Sequence, residues 1–214
     1  MSDTAYHFSY KHRFLAAYCS VSRTVSKASP ERCDDAWAYR TYKKKRTKSR
    51  SSVAGFLSER AMIHFDIEDP TTVDAAWCFK QYFGELIDRF DGGFDPDRGI
   101  SANAHELTVP RGVLVVARRC GEPVGCGALK FGNNQIAELK RMWVAPEVRG
   151  GGVGRRILAE LERLAAKAGI HVVRLETNRA LSEAISLYRA SGYSEVNPFN
   201  AEPYAHHWFE KRLP

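Results

Sequence analysis

A glycine-rich run flanked by arginines is the segment of this sequence best suited to chemistry. It reads Arg-Gly-Gly-Gly-Val-Gly-Arg from Arg149 to Arg155. Glycine lets the backbone turn sharply and brings consecutive N–H groups close to a ligand. A helix is predicted directly after it, and the free N–H groups and positive dipole end of that helix lie at the same place. The combination predicts binding of a phosphate or pyrophosphate group.

The spacing of the glycines excludes two familiar phosphate-binding loops. The dinucleotide fingerprint G-x-G-x-x-G would need glycine at position 155 or 157, where the chain has Arg155 and Ile157. The nucleotide P-loop needs a Gly-Lys pair, and the run has none. What remains is R-x-x-G-x-G, formed by Arg149, Gly152 and Gly154. A plain strand-to-helix turn is the alternative, but a turn needs only one glycine.

The hydrophobic pattern predicts the elements that position this run. Alternating or continuous apolar segments indicate strands, and apolar residues at helical spacing indicate helices. Strands are predicted at 62–67, 112–118, 124–131, 135–144, 171–176, 192–196 and 204–211. Helices are predicted at 74–90, 153–168 and 181–191, with a short one near 102–107. The short connections between the second, third and fourth strands predict that these three are antiparallel.

The loop, in this order of elements, resembles the pyrophosphate loop of the GNAT superfamily of acetyl-CoA-dependent N-acetyltransferases. The resemblance runs from about Ile63 to the C-terminus and also rests on the segments Glu138–Pro146 and Ala184–Tyr193. It implies the GNAT fold, an α/β (α+β) architecture with a mixed, mostly antiparallel central sheet of about seven strands flanked by helices. In that fold strands four and five splay apart, and the pantetheine arm of the cofactor enters the gap.

The resemblance also implies how acetyl-CoA, as a co-substrate and without a metal, would be bound. Backbone N–H groups at the end of the fourth strand would bind the pantetheine arm and the acetyl oxygen. Main-chain N–H groups of the glycine run would bind the pyrophosphate, and arginine side chains would add positive charge. The implied cofactor-binding residues are Met142, Trp143, Val144, Arg149, Gly150, Gly151, Gly152, Val153, Gly154 and Arg155.

Two residues are candidates for catalysis. Tyr188 matches the family tyrosine near the thioester sulfur, where a phenol can protonate the departing thiolate; the alternative is a core aromatic residue. Glu138 is the candidate general base that takes a proton from the amine. On an alternating strand it shares a face with Lys140 and Met142. Its alternative role is a structural salt bridge with Lys140 or Arg141, and a neighbouring lysine would lower its pKa and weaken it as a base.

The acceptor is the part of the reaction least determined by the sequence. In the family it is set by the first helices and the loop before the second strand, here 90–108, together with 204–208. The charged residues of the loop are Asp91, Asp95, Asp97, Arg98 and Glu106. Acidic groups there would attract a cationic amine, and Arg98 would attract a carboxylate. Many relatives carry Asn where this chain has Leu181, and Asn178 is displaced from that position.

The leading hypothesis is transfer of an acetyl group to a primary amine of a small molecule by direct attack in a ternary complex. The alternatives are acetylation of protein lysines or N-termini, and a non-catalytic acyl-CoA-binding module. Five cysteines without a C-x-x-C pair argue against a disulfide framework or zinc site and fit a cytoplasmic setting. No apolar run is long enough to span a bilayer, so we expect no membrane partner. Homodimers are common among the relatives.

Residues 1–60 form a basic extension of the predicted 61–214 domain. Residues 1–58 hold 12 Lys and Arg against 4 Asp and Glu, and the remaining residues hold 20 against 21. Charge runs such as Lys43–Arg46 are typically solvated and disordered. Three hypotheses remain open: a passive tail, a segment absent from the natural product because Met62 is the initiator, or an arm that binds nucleic acid or ribosomes. We expect no nucleic-acid partner for the rest of the chain.

Overall fold

The computed structural model describes residues 62–214, which contain one sheet of seven strands in the order β1-β2-β3-β4-β5-β7-β6. The strands are β1 (Ile63–Glu68), β2 (Gly112–Arg119), β3 (Glu122–Phe131), β4 (Ile136–Val144), β5 (Val172–Thr177), β6 (Ser194–Val196) and β7 (His207–Arg212). The helices are α1 (Val73–Arg89), α2 (Val153–Lys167) and α3 (Ser182–Ala190), with 3-10 turns at Ala104–Leu107 and Pro146–Val148. The predicted fold class and order of elements are confirmed. The expectations for residues 1–60 lie outside the described residues.

The core forms on both faces of the middle strands. Neighbouring residues on a strand point to opposite faces, and Leu114 and Val115 of β2 are both buried, so helices cover the sheet on each side. α2 contributes Ile157 and Leu161 to this core, as its helical periodicity predicts. Gly169 follows α2 with a φ of +78°, the conformation predicted for a glycine that ends a helix. No helix within 62–214 combines the length and apolar character needed to cross a membrane.

A buried arginine connects β2 to β1 and α1. Arg118 donates hydrogen bonds to Asp66 Oδ2 (3.1 Å), Glu68 Oε2 (2.6 Å) and Asp74 Oδ2 (2.9 Å). Burial lowers the pKa of Arg118, but its hydrogen bonds with Asp74 and Glu68 outweigh that effect and raise it. This cluster fixes the start of α1, the helix that carries several residues of the site described below.

β4 and β5 separate after a short stretch of parallel pairing. The paired residues run only from Ile136 with Val172 to Glu138 with Arg174. β4 continues to Val144 along β3, and β5 continues to Thr177 along β7. The predicted splay between the fourth and fifth strands is therefore confirmed.

A bulge at Arg141 changes which side chains share a face on β4. Arg141 has a φ of +54°, and the β3 partners shift from Ala128 with Lys140 to Cys126 with Trp143. The expectation that Glu138, Lys140 and Met142 share one face was wrong for Met142, because strict alternation fails at a bulge. Lys140 reaches Glu138 and Glu176. Met142 faces α2 instead. A Cβ added at Gly127 would contact both Met142 Sδ and the side chains of Ile157 and Leu161 of α2.

Candidate functional site

A cleft of about 480 Å³ lies beside the end of β4, beyond the point where this strand separates from β5. The end of β4, the glycine run and the exposed edges of α1 and α3 line it. We call it the large cleft. Nine of the ten predicted cofactor-binding residues line it, and Gly151 does not. The nine are Met142, Trp143, Val144, Arg149, Gly150, Gly152, Val153, Gly154 and Arg155. The structure therefore brings the predicted binding segments together at one opening.

The glycine run turns through two residues with left-handed backbone. Gly150 and Gly152 both have a φ of +76°, a conformation that costs free energy for residues that have a Cβ. α2 begins at Val153, directly after Gly152, and no side chain caps it. Among residues 62–214, no backbone or side-chain acceptor bonds the N–H groups from Gly150 to Arg155. These donors and the helix dipole create an anion-binding geometry.

The end of β4 presents main-chain groups toward the gap. Ala145 N donates to Val124 O of β3 at 2.9 Å. Successive N–H groups on a strand alternate in direction, so the N–H groups of Val144 and Met142 point away from β3 and into the large cleft. The carbonyl oxygen of Val144 also faces the cleft, where it accepts a hydrogen bond of 2.9 Å from Arg149 Nε. An extended ligand lying here would meet the same donors and acceptors as an added strand.

Gly154 allows close approach of the elements around this edge. A Cβ at Gly154 would lie 3.3 Å from Leu187 Cδ2 of α3, and 3.6 Å and 3.8 Å from side-chain atoms of Val144 and Met142. The first of these distances is tighter than ordinary van der Waals contact. The second glycine of the R-x-x-G-x-G pattern, Gly154, thus serves packing, whereas Gly152 serves the backbone turn.

Glu85 of α1 connects three parts of the large cleft, a role that sequence reasoning missed. Its Oε2 accepts from Trp143 Nε1 at 3.1 Å and from an Arg149 guanidinium nitrogen at 2.5 Å, while Oε1 accepts from Arg89 at 2.9 Å. The pairing of Glu85 with Arg89 is visible in the sequence as helical i, i+4 spacing. The contacts with Trp143 and Arg149 are long-range and have no local signal.

A second, smaller cavity of about 90 Å³ opens beside the large cleft, and we call it the small pocket. Its walls come from α1, the loop before β2, the splayed part of β4 and β5, and the segment before β7. One wall is a cluster of mutually contacting rings made of Phe83, Phe90, Phe94 and Tyr204. Tyr82 and Leu86 of α1 line both cavities. The two cavities therefore meet at this turn of α1.

The small pocket contains two cationic and two anionic side chains: Lys140, Arg141, Glu176 and Glu202. Lys140 is ion-paired with Glu176. Arg141 stacks 4.2 Å from the centre of the Phe79 ring and donates to Ala102 O at 2.5 Å. Glu202 accepts a bond of 2.5 Å from Ile100 N. The five charged loop residues named in the sequence analysis do not line the pocket, although the loop itself does through Phe94, Pro96 and Gly99–Ala102.

Glu138 lines neither cavity. Its Oε1 accepts a hydrogen bond of 2.7 Å from Arg174, and its Oε2 lies 3.3 Å from Lys140 Nζ. Burial raises the pKa of this carboxyl, but the hydrogen bond from Arg174 and the charge of Lys140 outweigh burial and lower the pKa below 4.5. This geometry favours the salt-bridge alternative. The role of general base stays a prediction.

Tyr188 lies on the inner side of α3 and is buried. Its ring centroid is 5.9 Å from that of Tyr193 and 6.2 Å from that of Phe209, and it lines neither cavity. Burial raises the pKa of Tyr188, and the charges of Tyr82 and Glu176 raise it further. The phenol is therefore protonated at neutral pH. Its role as the acid for the thiolate stays a prediction.

Asn178 has a structural role at the end of β5. Its Nδ2 donates to Tyr204 O at 2.7 Å, and its Oδ1 accepts from Ala180 N at 2.9 Å. Asn178 lines the small pocket, while Leu181 lines the large cleft. The family asparagine position is thus occupied by an apolar side chain facing the large cleft. Near the C-terminus, His206 is exposed and His207 pairs with Glu195 at 2.6 Å.

Comparison with known proteins identifies the family. The model of the acetyltransferase (GNAT) family matches residues 77–193. An IAA acetyltransferase of Azospirillum brasilense is 38% identical over 117 residues, which cover 54% of this chain and 76% of that protein. An aminoalkylphosphonate N-acetyltransferase of Salmonella typhimurium is 32% identical over 102 residues, which cover 45% of this chain and 64% of that protein. The crystal structure of a candidate acyl-CoA N-acyltransferase of Klebsiella pneumoniae superposes with a TM-score of 0.56 at 26% identity. The match covers 71% of this chain and 98% of that chain.

Proposed function

Because this chain belongs to the GNAT family of acetyl-CoA-dependent N-acetyltransferases, we propose that it transfers an acetyl group from acetyl-CoA to a primary amine of a small molecule. The observation that carries the proposal is the row of unbonded N–H groups from Gly150 to Arg155. It lies in the same cleft as the open edge of β4.

Both ends of the coenzyme have matching groups in the large cleft. We expect the pyrophosphate to bind the N–H groups of Gly150–Arg155, where the backbone and the helix dipole favour negative charge. We expect the pantetheine arm to pair with Met142 and Val144 as an added strand. Arg149 must then release Val144 O, and the pyrophosphate offers its guanidinium a new anionic partner.

The chemistry follows from bringing the two substrates together. The neutral amine attacks the acetyl carbonyl, a C–N bond forms, the C–S bond breaks, and sulfur leaves with the electron pair. Backbone N–H groups of β4 would stabilise the oxygen of the tetrahedral intermediate. The nitrogen loses one proton and the thiolate gains one, for which Tyr188 remains the proposed donor. Proximity of the bound substrates supplies much of the rate enhancement.

The small pocket supports an acceptor that carries both charges. Two cations and two anions line it, so its formal charge is zero, and an amine that also bears a carboxylate or phosphonate complements such walls better than a simple cation does. The aromatic wall would pack against an apolar body. The Salmonella relative's name denotes an acceptor with an amine and a phosphonate. We therefore propose small zwitterionic amines as the preferred acceptors.

A panel of acceptors tests both acetyl transfer to small amines and the preference for zwitterionic amines. Thiol release from acetyl-CoA is measured with amino acids and aminoalkylphosphonates, with matched amines lacking the anionic group, and with peptides presenting lysine or a free N-terminus. We expect release with small amines and the highest kcat/KM with the zwitterions. A preference for peptides would instead establish protein acetylation. Coenzyme A binding without turnover on any acceptor would indicate a binding module.

A further inference from the structure

Tyr82 stands where the two cavities meet. It lies on α1, four residues before Leu86, and both side chains line the large cleft and the small pocket. If acetyl-CoA binds in the large cleft and the acceptor in the small pocket, the acetyl carbon and the amine nitrogen must approach each other at this turn of the helix. Tyr82 is the polar side chain of the pair, because Leu86 is aliphatic.

The hydroxyl of Tyr82 is available for a substrate. Within the part of the chain that the structure describes, no hydrogen bond links this hydroxyl to another group, and the ring is packed at 5.2 Å from that of Phe83. The residue is neither core nor surface, since it is partly exposed to the cavities. Burial raises the pKa of Tyr82, with Arg141 opposing and Glu176 adding to the effect, so the phenol is neutral at physiological pH.

A neutral phenol can accept a hydrogen bond as well as donate one. Tyr188, the tyrosine that the sequence singles out, packs against Tyr193 and Phe209 and lines neither cavity. The charge of Tyr82 contributes to the raised pKa of Tyr188, although burial is the larger cause. The two phenols thus occupy different positions relative to the cavities, because Tyr82 lines both of them and Tyr188 lines neither.

We propose that Tyr82 is a catalytic residue on the acceptor side, whose hydroxyl oxygen accepts a hydrogen bond from the amine and aims the nitrogen lone pair at the acetyl carbon. This inference rests on the proposed function. Tyr82 gains and loses no proton overall: the C–N bond forms, the C–S bond breaks, and the proton lost by nitrogen balances the one gained by sulfur. The hydroxyl acts by orientation, so its contribution requires an amine to be present.

The test compares Tyr82→Phe with Tyr193→Phe, a matched control that also deletes a single phenol oxygen but lines neither cavity. Two reactions are measured: transfer to the best amine of the panel, and slow hydrolysis of acetyl-CoA without an amine. For Tyr82→Phe we expect kcat/KM for the amine to fall about ten- to hundredfold. Hydrolysis and the Kd for coenzyme A should stay within twofold of the parent protein, about the scatter of such measurements.

Each other outcome overturns the inference. Unchanged kcat/KM for the amine would remove Tyr82 from catalysis. An equal fall in hydrolysis and transfer would place the hydroxyl at the leaving sulfur and not at the amine. The same loss in Tyr193→Phe would show a general effect of removing a phenol from this region. Failure of the proposed function looks different, because the parent protein itself would then bind no coenzyme A or release no thiol.

Discussion

Glu85 on α1 and Arg149 in the glycine run form an ion pair of 2.5 Å between a carboxylate oxygen and a guanidinium nitrogen. The same arginine donates through Nε to the carbonyl oxygen of Val144 at 2.9 Å. Arg149 therefore lies across the open edge of β4, held there by a carboxylate from the opposite wall. The Glu85 carboxylate competes with an incoming pyrophosphate for this arginine.

The first prediction follows from that competition. Glu85→Gln should tighten coenzyme A binding by about two- to fivefold, the scale of a partly exposed ion pair. The variant removes a negative charge from the cleft and frees Arg149. Calorimetric titration with coenzyme A measures the effect, and raising the ionic strength should shrink it. Glu183→Gln removes a charge of the same sign from a more exposed position in the cleft. A gain as large in that variant would contradict the specific role of Glu85.

The second prediction concerns the left-handed backbone of the glycine run. Gly152→Ala should cost about 1–2 kcal/mol of strain, because alanine is disfavoured at a φ of +76°. The N–H groups on either side would reorient, so we expect weaker coenzyme A binding by about an order of magnitude. Gly151→Ala is the comparison, since its Cβ meets nothing nearer than Val148 O at 3.4 Å. Equal losses in both variants would argue against the turn at Gly152 as the cause.

Tyr188→Phe should reduce kcat by about ten- to a hundredfold or more if the phenol protonates the leaving thiolate. Coenzyme A affinity should be retained, because Tyr188 does not line the large cleft. Since burial raises the pKa of Tyr188, the parent enzyme should show no alkaline fall in kcat from this group below about pH 10. Pre-steady-state thiol release, followed across pH, measures the fall in kcat and its pH dependence. Unchanged kcat would leave Tyr188 as a core residue.

The elements and the glycine run could be predicted from the sequence because their signals are local. The periodicity of α2, Gly169 after it and the R-x-x-G-x-G spacing each involve neighbouring residues. The bulge at Arg141 could not be predicted, since nothing in its neighbours requires a positive φ. Glu85 and Tyr82 lie on an ordinary amphipathic helix, and their positions in the site depend on packing against distant strands. The charges of the small pocket come from β4, β5 and Glu202 rather than from the loop that the sequence indicates.

Glu138→Gln tests the salt-bridge role against the role of general base. The pKa of Glu138 is lowered in the folded protein, so the stability gained from its ionised form is complete above its unfolded pKa near 4.5 and is lost as pH falls through the lower folded value. At pH 7 the variant should therefore be less stable than the parent by about 1 kcal/mol. As the pH is lowered, the stability of the variant should fall less than that of the parent. Thermal denaturation between pH 3 and 7 measures this difference in stability, because the range includes the unfolded pKa near 4.5.

Activity provides the second measurement for this variant. With the carboxylate bound to Arg174 and outside both cavities, acetyl transfer at neutral pH should stay within severalfold of the parent. A loss of kcat of about a hundredfold or more with normal coenzyme A affinity would restore Glu138 as the base. Arg174→Gln removes the partner charge and should lower stability in the same way, without any catalytic effect of its own.

Arg118→Ala should be the most destabilising of these substitutions. It removes the guanidinium that donates a hydrogen bond to the buried carboxylate of Asp74, and breaking a buried pair by removing one member costs about 3–5 kcal/mol. Urea denaturation measures the change, with Arg119→Ala as the control because Arg119 is the exposed neighbour on the same strand. Because Arg118, Asp66, Glu68 and Asp74 line neither cavity, activity should fall only as the fraction of folded protein falls. Lost turnover in fully folded variant would mean instead that the cluster sets the position of α1 against the cleft.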